Sequence, residues 1–158
     1  MLTAVLPGEA GELHRLYQSM VGQPGCIWDA DYPTRDNAEE DIAAGRVWAV
    51  RDGEGRIIAA VSVEEDDVRP VFCPEDDRPA VCLCRVAVMR EHQGQGLAQA
   101  MVRELLDVLR ARGYAVLRLL VHPDNPPAMR TYQRLGFVPL GLCHMYGHRY
   151  LACALELA

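Results

Sequence analysis

Two mostly apolar runs, AVCLCRVAVM (80–89) and YAVLRLLVH (114–122), flank a helical stretch, and this restricts the fold more than any other feature of the chain. The first is apolar apart from Arg85 and reads as an inner strand; the second reads as another. Between them, residues 97–112 place Leu97, Met101, Leu105 and Leu109 on one helical stripe, with Gly113 as the C-cap. A strand–helix–strand unit of this kind pairs its strands in parallel through a right-handed crossover.

The flanking segments extend a sheet from that unit. GEAGELHRLYQSMV (8–21) carries Leu13, Leu16, Tyr17 and Met20 at helical spacing, and GQPGCIWDADYP (22–33) is turn-rich. Thr34 can N-cap RDNAEEDIAAG, which Gly45 ends. RVWAV (46–50) and RIIAAVSVEE (56–65) read as strands around an Asp52-Gly53 turn, and 66–79 as an acidic, proline-bearing loop. NPPAMRTYQRLG (125–136) is a short helix with proline in its first turn and glycine after its end. FVPLGLCHMYGHRYLACALELA (137–158) forms two strands around Gly147-His148. The expected fold is α/β (α+β): a single domain over 1–158, with a mixed central sheet of about six to seven strands and helices on both faces.

Composition excludes several partners. No run approaches the roughly 20 apolar residues of a membrane span, and the start lacks a basic n-region, so no membrane is expected and a cytoplasmic location is. Sixteen basic against 22 acidic side chains give a net charge of −6, which argues against nucleic acid. The acidic clusters EEDD (64–67) and PEDD (74–77) read as a solvated loop or as attraction for a cationic substrate. Six cysteines include no CxxC pair, so no metal site is expected; Cys82 and Cys84, two apart, share one face of a strand as reduced thiols.

The first apolar run hands over to a helix through Gln93-Gly94-Gln95-Gly96-Leu97-Ala98. A glycine-rich turn at a helix N-terminus offers unpaired N–H groups to an anion, most often a phosphate. A Walker A loop would need Gly-Lys-Ser/Thr, and a dinucleotide fingerprint would need a third glycine; both are absent.

The loop resembles the acetyl-CoA pyrophosphate loop of the GNAT N-acetyltransferase superfamily, R/Q-x-x-G-x-G/A. Asn125 to Phe137 resembles that family's N-x-x-A-x-x-x-Y-x-x-x-G-F segment at every fixed position. The resemblance implies a sheet splayed between 80–89 and 114–122. The pantetheine arm would lie in the gap along Val86 and Val88, an N–H near Ala87 would meet the thioester carbonyl, and N–H groups from Gly94 to Ala98 would meet the pyrophosphate. Gln93 stands where many members have Arg. Asn125 would cap its helix and contact the arm, with Ala128 beside it, and Arg130 or Arg134 would reach the adenosine 3′-phosphate.

The implied reaction is transfer of an acetyl group from acetyl-CoA to a primary amine, of a small molecule or a peptide, by direct attack in a ternary complex. Tyr132 would be the general acid. The base carboxylate some members carry before the loop is replaced by Cys82. Glu64, Glu65, His14, Asp29, Asp31 or a water chain are the alternatives, and that gap leaves a non-catalytic acyl-CoA-binding or sensing module as the second reading. Trp28 and Tyr32 are pocket or core residues, with the C-terminal hairpin near His144 to Tyr150 beside them. Whether the protein is a monomer or a homodimer stays open.

Overall fold

The computed structural model describes residues 1–157. In chain order the elements are β1 (Thr3–Ala4), α1 (Ala10–Ser19), α2 (Arg35–Ala43), β2 (Val47–Arg51), β3 (Ile57–Glu65), α3 (Arg69–Phe72), β4 (Ala80–Val88), α4 (Leu97–Ala111), β5 (Val116–Val121), α5 (Pro126–Leu135), β6 (Val138–Met145) and β7 (His148–Glu156). The sheet order is β1-β2-β3-β4-β5-β7-β6. Among the described residues only β4 and β5 run parallel; the other neighbours are antiparallel. The mixed sheet of the sequence reading is therefore observed, with seven strands. Four short elements lie outside the expected order: β1, α3 inside the acidic loop, and 3-10 turns at Pro7–Glu9 and Arg90–His92. None is long enough to carry a periodic signal.

One face of the sheet is covered by α4 and α5. Met101, Val102, Leu105, Leu106 and Leu109 of α4 are buried against Val81, Leu83, Leu117 and Leu119. Each buried aliphatic side chain of this size contributes about 1.5–3 kcal/mol by leaving water. The other face carries α1 and α2, where Leu13, Leu16, Tyr17 and Ala38 pack on Ala49, Ala60 and Ala87. Thr34 caps α2 as expected: its hydroxyl accepts from Asn37 N–H at 3.1 Å.

The sheet has one internal irregularity that matters. Ser62 pairs with Arg85 and Val63 with Leu83, so Cys84 is an extra residue in β4. Simple alternation would put Arg85 beside Val81 and Leu83, under α4. The bulge turns it to the α1/α2 face, where Asp41 accepts from Arg85 Nε at 2.9 Å and from its terminal nitrogen at 2.6 Å. The Tyr17 hydroxyl donates to the same carboxylate at 3.2 Å. Arg85 is 2% and Asp41 4% exposed, so neither charge has water as a partner. Removing one member of such a pair strands the other in a medium of low polarizability.

Asp41→Ala removes the acceptor of both the Tyr17 hydroxyl and two Arg85 donors, leaving Arg85 only the half-exposed Glu64 carboxylate, and is expected to lower the unfolding free energy by about 1–3 kcal/mol in urea titration. Arg35→Ala, which breaks the exposed Arg35–Glu39 pair, should change it by less than about 0.5 kcal/mol.

Candidate active site

The parallel pairing of β4 and β5 is short. It runs from Ala80–Val116 to Leu83–Leu119 and stops there. Beyond that point β5 continues against β7 and β4 continues against β3, so a gap opens between the two central strands. The bulge at Cys84 lies at the mouth of this gap, and a bulge bends its strand away from the former partner. The expected splay is thus present and has a local cause. On the β3 side of β4, Met89 N–H donates to Ile58 O at 2.9 Å. Alternation along an antiparallel ladder then commits Ala87 N–H to β3 and leaves the N–H groups of Val86 and Val88 facing the gap. The gap-facing donors are therefore shifted one residue either side of Ala87.

The glycine loop stands where β4 ends. Gly94 and Gly96 both have φ of 76°, the left-handed region that favours glycine, and a Cβ on either would meet no atom within 4 Å. The space beside them is open. Among the described residues, no acceptor meets the N–H groups of Gly94, Gln95, Gly96, Leu97, Ala98 or Gln99; the first paired amide is Ala100, to Gly96 O. These donors lie at the positive end of a 15-residue helix. Gln93 plays a different part from the one its position implied. Its side-chain amide donates to Val88 O at 2.9 Å and Gln23 Oε1 at 2.7 Å, so it braces the loop and has no free N–H for a phosphate. The main chain is left to meet the anion.

On the α4/α5 face the wall of the gap is α5. Asn125 caps it, accepting from Ala128 N–H at 3.3 Å, while its own amide donates to Gly25 O at 3.4 Å. The cap thereby ties α5 to the loop after α1. Tyr132 packs edge-on against Phe137 with ring centroids 5.6 Å apart. Part of the ring is exposed, but burial around the hydroxyl, then the Cys153 and Cys82 thiols, pushes its pKa up to about 12. The phenol is therefore a neutral donor throughout the physiological range. Arg130 and Arg134 are both exposed and have no acidic partner among the described residues.

On the opposite face, Arg85 is the centre of a cluster. Besides Asp41, its guanidinium donates to Tyr32 Oη at 2.9 Å and to the Glu64 carboxylate. The sequence offered one signal for this cluster, a lone arginine within an apolar strand, since a buried charge needs a partner. It offered none for the identity of that partner, 44 residues away. Tyr32 reaches the site, whereas Trp28 packs edge-on against Tyr17 at 5.7 Å and closes the α1/α2 core. Glu65 alternates to the other face, opposite Val81. Asp29 accepts from Asp31 N–H in an exposed turn. His14 lies partly exposed on α1.

Part of the acidic loop is engaged within the fold, while Glu75 and Asp77 stay exposed. Asp66 and Asp76 grip the buried Arg118 of β5; Asp76 and Glu156 hold Arg78; and Asp67 accepts from the Tyr146 hydroxyl. Arg118 and Arg78 also line a cavity of about 340 Å³, which lies beside Val116 and Glu156, at the far end of β5 from the gap. Its charges are already matched, so it is no part of this site. The two β4 thiols are poor nucleophiles: burial pushes Cys84 up to about 12 and raises Cys82 well above its ordinary value.

Free amides at the end of a splayed strand, with a neutral phenol in the wall, define the class: an α/β fold of the acyltransferase type. The chain belongs to the acetyltransferase (GNAT) family, whose sequence model matches residues 13–137. N-acetyltransferase family 8 member 2 of Rattus norvegicus is 32% identical over 99 residues, covering 63% of this chain and 41% of that protein. N-alpha-acetyltransferase 30 of Schizosaccharomyces pombe is 35% identical over 71 residues, 42% of this chain and 47% of that one. The chain thus aligns with under half the length of these relatives. The crystal structure of a phosphinothricin acetyltransferase from Sinorhizobium meliloti, in complex with acetyl-CoA, superposes with a TM-score of 0.79 at 16% identity, over 100% of this chain and 88% of that one. No helix among the described residues is long and apolar enough to cross a membrane.

Subtracting the alkaline spectrophotometric titration of Tyr132→Phe from that of the wild type should isolate one phenol with a midpoint near 12, about two units above a free tyrosine.

Proposed function

We propose that this protein transfers an acetyl group from acetyl-CoA to a primary amine, of a small molecule or a peptide, by direct attack in a ternary complex. The observation that carries the reading is the row of unpaired N–H groups from Gly94 to Gln99 at the end of the strand that lines the gap. The residues suit the group they would hold. The loop amides offer hydrogen bonds to a pyrophosphate with no side chain in the way, and Val86 and Val88 offer main-chain groups to a pantetheine arm lying as an added strand. Asn125 and Ala128 border the arm, and Arg130 or Arg134 is free to meet a phosphate on the adenosine.

Acetyl-CoA supplies the activated thioester. The gap-facing N–H groups stabilise the charge that develops on its carbonyl oxygen. Tyr132 gives its proton to the departing sulfur. A donor near 12 is well above a thiol near 8.5 in water, but the same burial raises the thiol, so the mismatch narrows where the transfer occurs. Protonated, buried cysteines make an acetyl-cysteine intermediate unfavourable and support direct attack. Six free cysteines are in keeping with a reducing, cytoplasmic setting.

One observation favours a second reading, a non-catalytic acyl-CoA-binding or sensing module: Cys82 occupies the place where a base carboxylate was expected. Calorimetry and turnover separate the two. Both require CoA binding. The transferase should release free thiol from acetyl-CoA with at least one of a panel of amines, and Tyr132→Phe should lower kcat by about 10²–10⁴ while leaving the Kd for CoA nearly unchanged. Tight CoA binding with no turnover on any amine or peptide N-terminus would leave the sensing module standing.

A further inference from the structure

We infer that Glu64 is the proton acceptor for the incoming amine, and that Arg85, anchored by Asp41, is the residue that positions it. This rests on the transferase reading above. Glu64 is the last-but-one residue of β3, and its carboxylate touches the Arg85 guanidinium on the face where Tyr32 also arrives. Its side chain is 50% exposed, so an acceptor from solvent can reach it, whereas Asp41 at 4% is sealed beneath Arg85. Asp41 already matches the charge of Arg85. The group of three therefore keeps one uncompensated negative charge, and it sits on the carboxylate that faces water.

The register explains how this carboxylate comes to be here. Glu64 pairs directly with Cys82 across the antiparallel ladder. Opposed residues project to the same face with Cβ atoms about 4.5–5.5 Å apart. A carboxylate on β3 at 64 thus covers nearly the same ground as one on β4 at 82, and Cys82 and Cys84, held protonated by burial, leave the role vacant. The ionisable and charged groups that surround Glu64 are Arg85, Cys82 and Cys84 on β4, Asp41 of α2 through Arg85, Tyr32 of the loop before α2, and Tyr146 of the β6–β7 turn with its partner Asp67. Burial raises Tyr32, and the hydrogen bond to Asp67 raises Tyr146, so both tyrosines retain their protons well above neutrality.

The step balances as follows. The bound ammonium gives one proton to Glu64, and the freed lone pair on nitrogen forms the C–N bond while the carbonyl π pair moves to oxygen. When the C=O bond re-forms, the C–S bond breaks and sulfur takes the Tyr132 proton. The surplus proton on the amide nitrogen returns through solvent to the tyrosinate, and Glu64 releases its proton to water. One ammonium and one thioester become one amide, one thiol and one proton.

Glu64→Gln keeps an acceptor for Arg85 but cannot take the proton. Its kcat/KM with an alkylamine is expected to fall about 10²-fold at pH 7, and the deficit should shrink towards pH 10 as the amine loses its proton unaided. With trifluoroethylamine, already neutral at pH 7, the variant should approach the wild type, while the Kd for CoA and the melting temperature stay unchanged. A purely structural role would give the same deficit at every pH and with both amines, and that result, or a variant equal to the wild type, overturns the inference while the transferase reading stands. A wild type with no turnover on any amine sinks both.

Discussion

The Arg85–Asp41 pair is the interaction on which the rest of the molecule depends. It joins the centre of the sheet to α2, and through the Tyr17 hydroxyl it joins α1 as well. A buried ion pair is rarely a net source of stability compared with apolar residues of the same shape. What it supplies here is placement. The guanidinium has donors left after Asp41 is satisfied, and these fix Tyr32 and Glu64 at one spot on an otherwise apolar face.

That placement depends on a single extra residue. Cys84 breaks the alternation of β4, so Arg85 turns to the α1/α2 side, and the same bend ends the parallel pairing at Leu83. The bulge therefore brings the carboxylate cluster and the opening of the gap to the same few residues. On the other side of the sheet, Asn125 fastens α5 to the loop after α1, and Gln93 fastens the glycine loop to the end of β4. The gap is thus bounded by groups whose positions are each held by a contact far away in sequence.

Much of the architecture was legible from residue order. The βαβ unit, the glycine loop, the capped helix at 125–136 and the hairpins on either side are local patterns, set by hydrophobic period and by where glycine, proline and threonine fall. The acidic loop was not legible, because its carboxylates answer to Arg118, which arrives from a strand more than forty residues on. The partners of Gln93 were not legible for a related reason: one of them, Gln23, lies 70 residues away. Trp28 and Tyr32 looked alike in sequence and went to different places, one into the core and one to the cluster.

The sequence by itself determined that this chain carries a glycine turn between a buried strand and an amphipathic helix, and a neutral phenol two helical turns beyond an asparagine cap. Both are properties of short stretches, where φ preferences and side-chain period act without help from distant residues. The tertiary structure alone decided which carboxylates Arg85 meets. That choice follows from strand register: a one-residue bulge sets which face Arg85 takes, and the pairing of β3 with β4 sets Glu64 opposite Cys82. Register depends on how two whole strands bury their apolar faces, so no window of sequence around either residue contains it.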